Sequence, residues 1–234
     1  MPRNTSLLLC LFILGSFVAT AQHPLFGTWE MVSISGVNAE GAKFNLDTSA
    51  IHETKIITPT HYILIAMDKQ DGTWTFNRCY FGSIRISGEK YYEIPIMSSE
   101  TIYENVKTDF SWKVNGKEFI QSGVITRPDG KTIVLDRFQF TRSEVPEMAN
   151  DPFIGTWQAE HEGVSSFFVA TSTHWMVIEK KDKKFTKALG GVYNIKGKVA
   201  ELNALYGTEN ATSLSAELHG QQITFNHHTY SRVK

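Results

Sequence analysis

The chain has 234 residues, 23 Lys and Arg against 24 Asp and Glu, a formal net charge of −1 and 41% hydrophobic residues. Charges of both signs are scattered evenly, so no nucleic acid and no anionic membrane is implied as a partner. The sequence holds no Gly-x-Ser-x-Gly elbow, phosphate loop or dinucleotide fingerprint, so no motif supports those enzyme classes.

At the amino terminus, Arg3 precedes an apolar stretch over residues 7–18, and Ala19-Thr20-Ala21 before Gln22 has the small-x-small pattern of a signal peptidase site. Residues 1–21 are expected to be a signal peptide cleaved after Ala21, giving a secreted or periplasmic protein. No later stretch approaches 18 apolar residues, so no transmembrane segment is expected in the mature chain. Cys10 lies inside the hydrophobic region, which argues against an acylated lipoprotein cysteine. Cys79 is then the only mature cysteine, and no internal disulfide can form. Beside Tyr80 and Phe81, without an obvious base, it reads as a small packed residue.

From residue 23 onward the chain repeats itself. Gly27-Thr28-Trp29 returns as Gly155-Thr156-Trp157, and Thr60-His61-Tyr62 as Thr173-His174-Trp175. The block from Gly82 to Lys90 answers to that from Gly191 to Lys198, and Val114-Asn115-Gly116 to Leu218-His219-Gly220. The units close on Phe140-Thr141-Arg142 and Tyr230-Ser231-Arg232. Ordered landmarks of this kind mark two copies of one fold. The first copy carries extra residues, most of them between Trp29 and His61. Domains are expected at 22–142 and 152–234, joined by a polar, proline-bearing linker at 143–151.

Within each copy, short runs rich in β-branched and aromatic residues are separated by turn pairs: Asp71-Gly72, Ser87-Gly88, Asn115-Gly116, Asp129-Gly130, Lys196-Gly197 and His219-Gly220. That rhythm predicts an antiparallel all-β protein. The best helix candidate is the insertion near residues 39–49, where a loop fits as well. Alternation places His174, Met176 and Ile178 on one strand face and Trp175, Val177 and Glu179 on the other. The charge at Glu179 marks its face as outward, so His174, Met176 and Ile178 are expected to point inward, and His61, Ile63 and Ile65 likewise.

The repeated Gly-Thr-Trp on a first strand, with an aromatic-x-Arg near each unit's end, resembles the signature of lipocalins and their calycin relatives. The resemblance covers nearly all of the mature chain and implies two tandem antiparallel β-barrels. It also implies that Trp29 and Trp157 lie across the closed ends of their barrels under Arg142 and Arg232, a lock worth roughly 0.5–2 kcal/mol for each guanidinium over an indole face. Two features depart from the pattern. Neither unit has the disulfide common in secreted lipocalins, and the second is short for eight strands, so its barrel is either packed solid or incompletely closed.

The resemblance further implies binding of a small hydrophobic molecule, with His61, Ile63, Ile65, His174, Met176 and Ile178 as candidate ligand-binding residues. For the two histidines, a buried imidazole satisfied by a hydroxyl or backbone carbonyl is the commoner arrangement. Aromatic residues make up 12% of the chain and concentrate in the first unit; they would fill a solid core or line a cavity equally well, and any ligand cavity is expected there, with the 38–58 insertion as a candidate lid. His52, His161, His219, His227 and His228 show no metal-ligand spacing, and no metal or cofactor is expected. The carboxylates Glu53, Glu93, Glu118, Glu160, Glu162 and Glu201 form no recognisable catalytic pair. Two other readings stand beside the carrier: an isomerase, cyclase or hydratase using His61 and a nearby carboxylate, and an interaction module with solid barrels. The sequence is silent on oligomeric state.

Overall fold

The computed structural model describes residues 23–143, 151–209 and 214–233. The expected signal peptide and most of the expected linker lie outside them. In chain order the first nine strands are Gly27–Val37 (β1), Lys43–Asp47 (β2), Ile51–Ile57 (β3), His61–Gln70 (β4), Thr73–Ser87 (β5), Lys90–Ser98 (β6), Lys107–Asn115 (β7), Glu118–Thr126 (β8) and Thr132–Arg142 (β9). The other eight are Gly155–His161 (β10), Val164–Ala170 (β11), His174–Lys181 (β12), Lys184–Lys196 (β13), Val199–Gly207 (β14), Leu214–His219 (β15), Gln222–Phe225 (β16) and His228–Arg232 (β17).

These form two tandem closed antiparallel barrels. In the second, β10 to β17 pair in sequence order and β17 returns to β10, so the short unit does close. In the first, eight strands close through the pairing of β1 with β9, and β2 is a ninth strand outside the ring. β1 is long enough to serve both neighbours: Gly27 to Glu30 pair with β3, and Ser33 to Val37 pair with β2. The insertion thought of as helix or loop is therefore this strand. Its Lys-Phe-Asn-Leu-Asp alternation suits an edge that borrows backbone partners from β1.

Every turn glycine named from the sequence lies between two adjacent strands. At Asp71-Gly72 both residues have positive φ, 49° and 81°, the backbone of a tight two-residue hairpin. One junction in the first barrel is weak. β6 and β7 pair only at Lys90 with Ser111 and Tyr91 with Phe110. Just beyond, the Thr108 hydroxyl replaces a backbone partner: it accepts from the Glu93 N–H at 2.7 Å and donates to the Glu93 carbonyl at 2.8 Å.

Three apolar clusters hold the molecule. One fills the second barrel around Trp157, Phe168, Trp175, Tyr193, Phe225 and Tyr230; a second lines the first barrel around Trp29, Tyr62, Tyr91, Phe110, Phe119 and Phe140. The third lies between the barrels and joins Ile56, Ile63, Ile65, Cys79 and Phe81 to Phe167, Val169, Met176 and Ile178.

That third cluster corrects the orientation read from alternation. His61, Ile63 and Ile65, with His174, Met176 and Ile178, point out of their own barrels and toward the opposite one, while Tyr62, Leu64, Trp175 and Val177 face inward. Burial could not separate the faces, because both sides of β4 and β12 are covered over most of their length. Glu179 misled because it sits near the end of β12 on the inner face, where the Ser166 hydroxyl, itself bonded to Tyr230 in the barrel core, lies within 3.5 Å of its carboxylate.

Candidate functional site

The two closed ends are built alike. The Arg142 guanidinium carbon lies 4.3 Å from the Trp29 ring centroid, and that of Arg232 lies 4.0 Å from the Trp157 ring. Each guanidinium also donates twice to the chain before the first strand, Arg142 to the carbonyls of Phe26 and Pro24, Arg232 to those of Ile154 and Pro152. The indole N–H groups donate to Leu25 and Phe153 at 2.8 and 3.1 Å. The glycines of the motif follow from this packing. At Gly27 a Cβ would lie 2.5 Å from Arg142 Nη1, with φ at +137°, and at Gly155 2.8 Å from Arg232 Nη1.

The open end of the first barrel differs. A cavity of about 240 Å³ opens there, lined toward its mouth by Asn38, Phe44, Leu46, Ile125 and Ile133, and deeper by Glu53, Lys55, Arg78, Glu93 and Gln121. The arm carrying Phe44 and Leu46 is β2 with its preceding turn, so the 38–58 insertion does border the cavity.

The deep charges come from strand parity. On β3, Ile51, Glu53, Lys55 and Ile57 share the inner face, which puts two charged groups inside the barrel. Lys55, 1% exposed, donates to Glu93 Oε1 at 2.6 Å and to Gln121 Oε1 at 3.1 Å. Its ammonium is surrounded by the rings of Tyr62, Tyr91, Phe138 and Phe140, with centroids 5.3 to 6.0 Å away, a cage that offsets part of its desolvation. Arg78 donates to Glu53 Oε2 at 3.2 Å. Glu53 Oε1 is buried without a hydrogen-bond partner. Burial pushes the Glu53 carboxyl above the usual carboxylate range, against the opposing charges of Arg78 and Lys55.

Two cations and two carboxylates thus meet at the cavity floor, and an unmatched acceptor inside a barrel is expensive. The sequence reading named Glu53 and Glu93 without placing them together, and missed Lys55, Arg78 and Gln121. The signal was present in β3, whose charges at 53 and 55 stand in phase with Ile51 and Ile57.

Outside the barrels, His61 stacks on Phe81 with ring centroids 5.2 Å apart and its Nδ1 lies 2.8 Å from the Thr60 hydroxyl. Burial lowers its pKa. The carboxylate postulated beside it is found instead near its counterpart: His174 Nε2 lies 3.9 Å from Glu30 Oε1. Burial pushes His174 down to about 4 and Glu30 up to about 7. Cys79 is fully buried in the third cluster, and burial raises its thiol pKa well above the usual value.

No protein-family model and no curated protein matches the chain. Among solved structures, it is similar to the uncharacterized protein YLR301w from Saccharomyces cerevisiae, with a TM-score of 0.56 at 9% identity over 88% of this chain and 98% of that one. A protein of unknown function from the DUF3598 family of Nostoc punctiforme aligns over 90% of this chain and 97% of its own at 11% identity, with a TM-score of 0.29. At 9% identity the likeness to the yeast protein concerns the fold alone, and two closed eight-stranded antiparallel barrels fit a calycin-like architecture.

Proposed function

We propose that this is a lipocalin-like carrier, exported by its amino-terminal segment, whose first barrel binds one small amphiphilic molecule. The observation that supports the reading best is the unmatched Glu53 Oε1 at the bottom of a cavity with an apolar mouth. A hydroxyl or amine on the ligand would supply the missing donor, and its apolar body would lie against Phe44, Leu46 and Ile133. About 240 Å³ falls below the roughly 300–1,000 Å³ of drug-sized pockets and above the ~150 Å³ that accepts benzene, so a compact mono- or bicyclic molecule fits. The expected hydrophobic ligand is thereby narrowed to one with a polar head. The second barrel, filled by its own aromatic residues, serves as the packing partner of the first.

Native mass spectrometry of the mature protein tests this, together with titration of 2-naphthol, a compact probe with one hydroxyl. One passenger or one naphthol per chain, weakened in Glu53→Ala, is the expected result. An empty protein that takes up no naphthol, or one whose uptake ignores position 53, overturns it.

A further inference from the structure

A second built site lies between the barrels and is independent of the cavity just described. The carboxylate of Glu30, on the outer face of β1, accepts from the Thr54 hydroxyl at 2.8 Å. His52 Nε2 lies 3.5 Å from one of its oxygens, and His174 Nε2, from the second barrel, 3.9 Å from the other. Both imidazoles have lowered pKa values through burial, so at neutral pH neither supplies a positive charge. Among the described residues, Glu30 forms no ion pair with Lys or Arg.

The space around this carboxylate is a cleft of about 340 Å³. One wall is Trp74, 41% exposed, and another is Leu205, 59% exposed, which stands in a β-bulge where β14 pairs with β13. The His52 ring is set between Trp74 and Tyr206, with centroids 6.1 and 6.2 Å away. The Tyr206 hydroxyl is buried beside Thr54 without a hydrogen bond of good geometry. Trp74 already attracts one cation, the Lys69 ammonium 5.6 Å from its centroid.

The repeat supplies an internal control. Gln158 follows its Gly-Thr-Trp as Glu30 does, and the strand partners His52 and Met67 correspond to Ser165 and Lys180. Those three line the equivalent cleft on the other side, where Lys180 is already paired with Glu104. In that cleft a lysine in the place of Met67 is already paired with a carboxylate; the cleft at Glu30 is lined by neither Lys nor Arg, and Lys69, which lies over the Trp74 ring, is not among its lining residues.

We propose that the cleft beside Glu30 binds an organic ammonium ion, its nitrogen against the Glu30 carboxylate and its apolar groups against Trp74 and Leu205. A partly buried carboxylate without a Lys or Arg counter-charge is stabilised by a cation that also covers apolar surface, and aromatic rings add attraction for that charge. Of the titratable groups facing Glu30, His52 and His174 are neutral and the Tyr206 phenol is pushed well above its ordinary range. Glu30, raised to about 7 by burial, therefore sets the pH dependence: affinity rises with pH through that value.

Calorimetric titration of the mature protein with 2-phenylethylammonium, benzyltrimethylammonium and uncharged 2-phenylethanol tests the inference. One ammonium per chain is expected, with binding roughly tenfold weaker one unit below the Glu30 value than well above it, and 2-phenylethanol binding at least about tenfold less tightly. Glu30→Gln is expected to erase the preference for charge and Trp74→Ala to weaken both ammonium probes. Binding of 2-phenylethylammonium alone identifies a primary amine held through its N–H donors; binding of both identifies recognition by charge and aromatic surface. Equal affinity for the alcohol, no binding, or charge preference surviving Glu30→Gln overturns the proposal. If Glu30→Gln fails to fold, the ammonium–alcohol comparison on the unaltered protein still decides.

Discussion

The hydroxyl of Thr28 in the first barrel lies 2.7 Å from that of Thr171 in the second. The repeat carries the same pair in reverse, Thr58 to Thr156 at 3.3 Å. Thr28 corresponds to Thr156 and Thr58 to Thr171, so each barrel offers the same two threonines to the other. That is the geometry of a self-complementary two-fold interface, here within one chain.

Because Met176 and Ile63 are fully buried in that interface, the barrels are expected to melt as one unit. Calorimetry should show a single transition in the chain of residues 22–234. Met176→Ala should cost about 2–5 kcal/mol, and Met176→Asp, which buries an unpaired charge, should separate the transition into two.

At the closed ends, Gly27→Ala and Gly155→Ala should each lose about 2 kcal/mol or more in denaturant unfolding, through strained φ and displacement of the guanidinium. Arg142→Lys should also destabilise, since one ammonium cannot reproduce both carbonyl contacts and the stacking on Trp29.

Inside the first barrel, Lys55→Met leaves Glu93 charged and unpaired, at a cost of roughly 3–5 kcal/mol. Adding Glu93→Leu should restore much of it. A double-mutant cycle in urea that showed simple additivity would refute the pairing.

Glu30 and His174, which face each other across the barrels, contribute to the pH dependence of stability with opposite signs. Glu30, raised from 4.5 to about 7 in the folded protein, holds its proton when folded and loses it when unfolded, so its contribution is full below pH 4.5 and falls as pH rises through about 7. His174, lowered from 6.5 to about 4, acts in reverse: its contribution is full above 6.5 and is lost as pH falls through about 4. Across 4.5 to 6.5 the slopes oppose each other. Glu30→Gln should uncover a rise of stability with pH in that window, and His174→Gln a fall, measured by urea midpoints.

Cys79 should resist thiol reagents in the folded protein without residues 1–21 and react fully in denaturant, since it is buried and its thiolate disfavoured. Rapid labelling of the native state would show that the interface opens.

The sequence by itself determined the repetition, the all-β class and the turns, because each depends on local chemistry: Asp-Gly and Asn-Gly backbones and period-two alternation. It pointed to the longer, aromatic-rich first unit as the place for any cavity, without deciding whether that barrel is hollow or solid. What only the tertiary structure decided was which face of a doubly buried strand looks into a barrel and which looks at the other barrel. Ile63 and Tyr62 are equally apolar, so alternation fixed their opposition but not its sign. The charged groups followed the same logic. Lys55, Glu93 and Gln121 lie on three strands, and Glu30 and His174 in two barrels, so no local spacing foretells their meeting; the closure of the first sheet and the two-fold docking of the barrels bring them together.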